Sequence, residues 1–365
     1  MPETEYRGRR AWQIHSDAFR VTVLVEGGHI AEMLYKPTGV NPLWTPPWPS
    51  IEPSQWSRDR HPEYGDDAES KLLSGIMGHN LCLDLFGPPS PEEAAAGVTV
   101  HGDASIWPCG FEMSGEDLVQ TTGTGSGVGL VRTIRLDGDW VRITEEAFNA
   151  TMYDRPVAWT QHVTLGPPFL EKGLTRFEIP ATRSRTLDER DFDWPYLPKP
   201  DGSREDLRVL TNAPTSGGFT THLMDPSREQ AFFIAWSPTT KMYFGYVWRQ
   251  ADFPWMGIWE ENYSRTSPPW NGETLTRGME FGVSPFPEPR RKMIDRGSLF
   301  GVPAYRWLPA GTGLKVEYAA FAGIADRMPS APPDQISLRM AERTSASTLP
   351  PERMIPVRPR PAGNL

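Results

Sequence analysis

Acid–base chemistry is what the residue types of this 365-residue chain could support most directly. It has seven histidines: His15, His29, His61, His79, His101, His162 and His222. Imidazole titrates near neutrality, so each could give or take a proton beside a carboxylate. The spacings that commit such residues to other chemistries are absent: there is no H-E-x-x-H, no C-x-x-C pair and no G-x-S-x-G elbow. The glycines at 123, 125, 127 and 129 precede a strand pattern rather than a helix, and so read as a turn rather than a phosphate loop. Four strings concentrate the polar chemistry. They are Gly78-His79-Asn80-Leu81-Cys82-Leu83-Asp84, Val100-His101-Gly102-Asp103 leading to Trp107, Thr160-Gln161-His162-Val163-Thr164, and Gly257-Ile258-Trp259-Glu260-Glu261-Asn262.

These strings sit in a chain patterned for strands. Phe19 to Glu26 alternates and is rich in β-branched residues, Gly27-Gly28 reads as a turn, and His29 to Tyr35 as the returning strand. Gly129 to Asn149 is a hairpin around Asp137-Gly138-Asp139, where Asp-Gly accepts positive φ at little cost. Further strands are expected at 157–165, 231–236, 241–248 and 314–321, and Arg277 to Gly282 reads as another. Helical signals are few. Ser90-Pro91-Glu92-Glu93 has a cap, a first-turn proline and good formers, stopped by Gly97. From Pro329 the composition turns to Pro, Ser, Arg and Thr. Residues 330–365 therefore read as an extended tail, with a short helix around Gln335 to Arg343.

Composition narrows the classes. Thirty-eight prolines and 33 glycines exclude a helical bundle, because an interior proline removes a helix hydrogen bond. With 37 basic against 46 acidic residues and no basic run, the chain has no electrostatic footprint for nucleic acid. No stretch is long and apolar enough to be read as a membrane span. The first fifteen residues lack the apolar region of a secretory signal, so a cytoplasmic location is expected. Cys82 and Cys109 cannot build a disulfide framework or a four-thiolate site and read as structural thiols. Fourteen Trp, 16 Phe and 10 Tyr are core material and also suitable faces for sugar rings.

The order of the strings resembles the aldose 1-epimerase (galactose mutarotase-like) family. His101-Gly102 leads to Trp107, His162 follows at a strand end, and Glu260 comes late with Asn262 in place of a Gln. The resemblance implies an all-β fold, a large antiparallel β-sandwich formed by residues 1–329. It also implies a cofactor-free enzyme that interconverts the anomers of a sugar or sugar derivative. On it, His162 is the general acid, Glu260 the general base, and His101 holds the ring oxygen or a neighbouring hydroxyl. His79, Asn80, Asp103, Trp107, Trp259 and Glu261 are the expected substrate contacts. Successive strand side chains face opposite ways, so only one of Glu260 and Glu261 can face the cleft. Glu280 is a further carboxylate candidate. The family's arginine ahead of the first histidine has no counterpart in Gly78-His79-Asn80, and Val163-Thr164-Leu165 departs from the aromatic and Asn of its second-histidine string.

Those departures motivate a second reading, a non-catalytic carbohydrate-binding protein using the same cleft. A third is a metal-assisted lyase or isomerase with His79 and His101 among its ligands, although no tight ligand spacing supports a metal site. The expected partner is a small carbohydrate, with no nucleic acid and no membrane; a homo-oligomer is compatible with the sequence.

Overall fold

The computed structural model describes residues 3–333 and 336–345. Two large antiparallel sheets face each other. Five central strands of the larger one, which has eleven strands, position the site: β1 (His79–Leu83), β2 (Trp159–Leu165), β3 (Ser216–Met224), β4 (Trp255–Asn262) and β5 (Leu275–Gly282). Their order across the sheet is β1-β2-β5-β4-β3. The strands Glu3–Tyr6, Arg9–His15, Phe19–Leu24 and Ile30–Tyr35 extend the sheet beyond β1, and Ala181–Thr186 and Asp191–Asp193 extend it beyond β3. The second sheet has nine strands and is built around Met242–Arg249, Thr312–Ile324, Trp140–Asn149 and Val128–Asp137. The expected hairpin is its centre, with Gly138 at φ +59° in the turn. The fold is therefore the all-β antiparallel sandwich expected from the sequence.

The main core lies between the sheets. Val163 and Leu165 of β2, Met279 and Phe281 of β5, and Met256 and Ile258 of β4 meet Phe244, Tyr246, Trp248 and Tyr318 of the second sheet. Trp248 stacks on Phe281 with ring centroids 4.2 Å apart. One buried polar cluster interrupts this apolar layer. Glu145 accepts from Arg132 Nε at 2.7 Å, Trp159 Nε1 at 2.9 Å, Gln161 Nε2 at 2.6 Å and Tyr318 Oη at 2.8 Å. An ion pair away from water persists only where further hydrogen bonds surround it, and this one is so enclosed.

Every residue of β2 and β5 is buried, so these strands are covered on both faces. Connections 41–78, 84–109 and 283–311 supply the outer cover. One part is an aromatic layer in which Trp44 stacks on Trp270 and Trp48 meets both edge-on. The other is an apolar cluster of Cys82, Phe86, Phe219, Trp255 and Phe286. The helix Pro91–Ala95 forms as its sequence predicts, with a reciprocal capping box between Ser90 and Glu93. The tail differs from expectation. Ile336 and Leu338 are buried against Phe321, and Glu342–Ser345 pairs with Thr312–Ile324, so residues 336–343 hold no helix. Gln335 and residues 346–365 lie outside the described residues. Among the described residues no helix is long and apolar enough to cross a membrane.

Candidate active site

Strand register builds the site. His162 of β2 lies opposite Asn80 of β1 on one side and Glu280 of β5 on the other; Glu280 lies opposite Gly257 of β4, and Gly257 opposite Thr221 of β3. Directly opposed residues share a face, so Asn80, His162, Glu280 and Thr221 form one row on the outer face of the large sheet. Their chain neighbours Leu81, Val163, Met279 and Phe281 point into the core. Glycine makes room for the row: a Cβ at Gly278 would sit 2.4 Å from Glu280 Oε1, and one at Gly257 would sit 2.5 Å from the Phe219 ring.

His162 Nε2 lies 3.1 Å from Glu280 Oε1, and its Nδ1 lies 2.9 Å from Thr164 Oγ1. Burial lowers the His162 pKa well below the ordinary histidine value, with the neighbouring His101 adding to the effect. Burial raises Glu280 well above the usual carboxylate range. Both shifts favour the uncharged forms, a neutral imidazole beside a protonated carboxyl group. The two atoms are close but not aligned as a hydrogen bond, so Glu280 Oε1 is left without a hydrogen-bond partner. Thr164, whose hydroxyl can donate or accept, suits either imidazole tautomer.

Further polar atoms on this face are, like Glu280 Oε1, without a hydrogen-bond partner. Asn80 is 1 % exposed, yet neither its Oδ1 nor its Nδ2 has a hydrogen-bond partner. Thr160 Oγ1 and Thr221 Oγ1 are likewise buried and unpartnered. Leaving such groups unpaired costs about 1–3 kcal/mol each.

Two further side chains close over the row. His101 has φ +69° and is followed by Gly102 at φ +80°. Its Nδ1 donates to the Phe86 carbonyl at 2.7 Å, and its ring centroid is 4.9 Å from that of His162. Burial lowers its pKa to about 4, so it is neutral with its lone pair on Nε2. The Trp259 ring is 5.9 Å from His162 and 6.0 Å from Trp270. The Arg265 guanidinium lies over both indoles, at 5.6 Å and 4.6 Å.

The site residues expected from sequence divide clearly. His162, His101, Asn80 and Trp259 come together. Glu260 does not join them, because it lies three positions along β4 from Gly257, an odd step, and so faces the other way. There it accepts from Arg277 Nη2 at 2.7 Å and Ser216 Oγ at 2.5 Å. Glu261 shares the outer face, but its carboxylate is taken by Ser264 N at 2.6 Å, Ser264 Oγ at 2.8 Å and Arg265 N at 3.0 Å. His79 points into the sandwich core, where its ring nitrogens meet Tyr246 Oη at 2.9 Å and Gln161 Oε1 at 3.0 Å. Asp103 Oδ2 accepts from Gly125 N at 2.7 Å, away from the row. Trp107 packs at the edge of the aromatic layer, and its carbonyl accepts from Gly27 N at 2.7 Å. The carboxylate that meets His162 is thus Glu280. Its sequence signal is Gly278-Met279-Glu280-Phe281-Gly282, an acidic residue between two core residues, with glycine two positions away on either side of the same strand face. Among the described residues no group of three His, Cys, Asp or Glu is placed to hold a metal ion.

No family model matches the chain, and no curated protein matches it. Solved structures do. A candidate aldose 1-epimerase from Klebsiella pneumoniae superposes with TM-score 0.64 at 14% identity, over 87% of this chain and 80% of the other. Galactose mutarotase-like proteins from Lactobacillus casei (TM-score 0.58, 13% identity, 86% and 100% coverage) and Clostridium acetobutylicum (0.57, 11%, 89% and 98%) are similar to it in the same way. At such identity the likeness establishes the fold alone, a galactose mutarotase-like β-sandwich.

Proposed function

We propose that the chain interconverts the anomers of an aldose, with His162 and Glu280 as the proton-transferring pair. The observation that carries this reading is the 3.1 Å approach of His162 Nε2 to Glu280 Oε1, in a row with an unsatisfied Asn80. The names of the structural relatives, aldose 1-epimerase and galactose mutarotase, point the same way.

The chemistry needs two proton positions. Ring opening removes the proton from the anomeric hydroxyl, forms the C1 carbonyl, breaks the bond from C1 to the ring oxygen and protonates that oxygen. The two oxygens are bonded to the same carbon, so their proton partners must also be neighbours. Adjacent strands β2 and β5 offer such a pair. In the uncharged resting form Glu280 holds the proton and gives it to the ring oxygen, while His162 takes the one leaving the hydroxyl. Rotation about the bond from C1 to C2 turns the aldehyde over, and closure returns both protons. His101, neutral and 4.9 Å away, presents an acceptor to a substrate hydroxyl. Asn80 offers both a donor and an acceptor, and Trp259 an apolar face. In this scheme Glu260 has no role.

The test is anomer exchange followed by polarimetry on freshly dissolved α-D-glucose and α-D-galactose. Activity that is lost in His162→Asn and Glu280→Gln supports the reading. Saturable binding by calorimetry, with exchange no faster than buffer, would replace it with the non-catalytic carbohydrate-binding reading.

A further inference from the structure

The opposite face of strands β3 and β4 carries a cavity of about 510 Å³, bordered by Glu260, Arg277, Gly218, Leu197, Pro198 and Leu207. We propose that this cavity is a separate binding site for a neutral saccharide, distinct from the His162–Glu280 row.

The floor is polar and incompletely satisfied. Arg277 is fully buried; its Nη1 donates to the Leu207 carbonyl at 2.8 Å and its Nη2 to Glu260 at 2.7 Å, but its Nε has no partner. Glu260 is the more open of the two, with a side chain 13% exposed. An ion pair with one donor left over is an incomplete design for stability alone, since apolar residues of similar volume do as well or better. Beside it the strand gives up a side chain. Gly218 lies opposite Glu260 in register, and a Cβ built there would meet nothing within 4 Å. Glycine inside a strand weakens it and marks a place where something approaches the backbone closely.

The charges choose the ligand. Glu260 and Arg277 cancel on the floor. At the rim Lys199 pairs with Glu205 at 2.8 Å, and Arg190 with Asp188 at 2.8 Å. No net charge is left to attract an ion. A hydroxyl is the neutral group that donates to a carboxylate and also accepts from a guanidinium N–H. Leu197, Pro198 and Leu207 provide an apolar wall for the C–H face of a ring. The volume falls within the range of about 300–1,000 Å³ usual for small-ligand sites.

The experiment uses the full chain with Glu280→Gln, so that no probe is turned over. The probes are the methyl glycosides of D-glucose, D-galactose and D-mannose, together with maltose and lactose. Hydrogen exchange read by mass spectrometry is expected to show protection of residues 197–207 and 216–220 by at least one of them. Gly218→Ala, which meets no atom, should leave that affinity within about twofold, and Gly218→Leu and Gly218→Trp should weaken it progressively, by tenfold or more for Trp. This graded series holds even if the largest side chain disturbs folding. Absence of protection with every probe overturns the site, as does protection that persists when position 218 is filled. Neither outcome depends on whether His162 and Glu280 interconvert anomers.

Discussion

Replacing Glu280 by Gln separates the carboxylate that approaches His162 from Glu260, the general base that the family resemblance implies. Burial raises the Glu280 pKa well above the usual carboxylate range, which favours the neutral carboxyl group, and Gln matches that group in shape and charge. Folding stability should then change by no more than about 1 kcal/mol. The proton is another matter: a carboxamide can neither give nor take one, and loss of a general acid–base group slows a reaction roughly 10²–10⁴-fold. That corresponds to about 3–5 kcal/mol of barrier. Glu260→Gln should behave in the opposite manner. It removes the charge partner of the fully buried Arg277, costing about 3–5 kcal/mol of stability, while the rate per folded molecule stays within about threefold of wild type. Urea unfolding supplies the stabilities, and polarimetry or exchange NMR on pure α-anomers supplies the rates. The reasoning is refuted if Glu280→Gln keeps wild-type exchange, or if Glu260→Gln loses as much activity as Glu280→Gln.

Three other outcomes follow from the same geometry. Asn80→Leu removes two unpaired buried polar atoms and should raise stability by about 1–3 kcal/mol while weakening sugar binding, a combination that calorimetry and urea titration would expose together. His29 and His222 are held to pKa values of about 3 by burial, against an ordinary 6.5. Their folded values lie below the unfolded one, so the stability they contribute is complete above pH 6.5 and is lost as the pH falls toward 3. Urea midpoints compared between about pH 7.5 and pH 5 should show a loss of about 2 kcal/mol for each of these histidines, and an unchanged midpoint would contradict their burial as neutral rings. Arg132→Met strands the fully buried Glu145 carboxylate and should cost about 3–5 kcal/mol; adding Glu145→Leu should recover little of that loss, because Trp159 Nε1 and Gln161 Nε2 lose their acceptor, and a double variant as stable as wild type would count against the cluster.

The sandwich was legible because its strands announce themselves. Phe19 to Glu26 alternates visibly, and the Asp137-Gly138 turn leaves one arrangement for its hairpin. His162 and His101 were legible from their company of polar and glycine residues, and the structure brings their rings within 4.9 Å. Glu280 was harder to see. Met279 and Phe281 make its segment look like an ordinary core strand, whereas Glu260 and Glu261 stand at a strand end, where exposed carboxylates are common. What distinguishes the three is facing and pairing: Glu260 shares a face with Ile258, and Glu280 shares one with His162. Facing depends on which strands become neighbours, and β2 joins β5 across more than a hundred intervening residues, beyond anything local patterning encodes. His79 misleads for the same reason. It lies one residue from Asn80, and that single step moves it from the site to the core.

The buried cluster around Glu145 has a consequence for how this protein can fail. Gln161 and His79, bound within or beside that cluster, are the immediate chain neighbours of His162 and Asn80. Sliding β1 or β2 by one position would drive an imidazole and a carboxamide in among aliphatic side chains and leave Glu145 short of donors, a penalty of several kcal/mol. Misthreaded molecules should therefore unravel instead of persisting as well-folded but inert species. In any preparation, the fraction that survives a protease challenge should equal the fraction able to turn over, with no folded, inactive population between them.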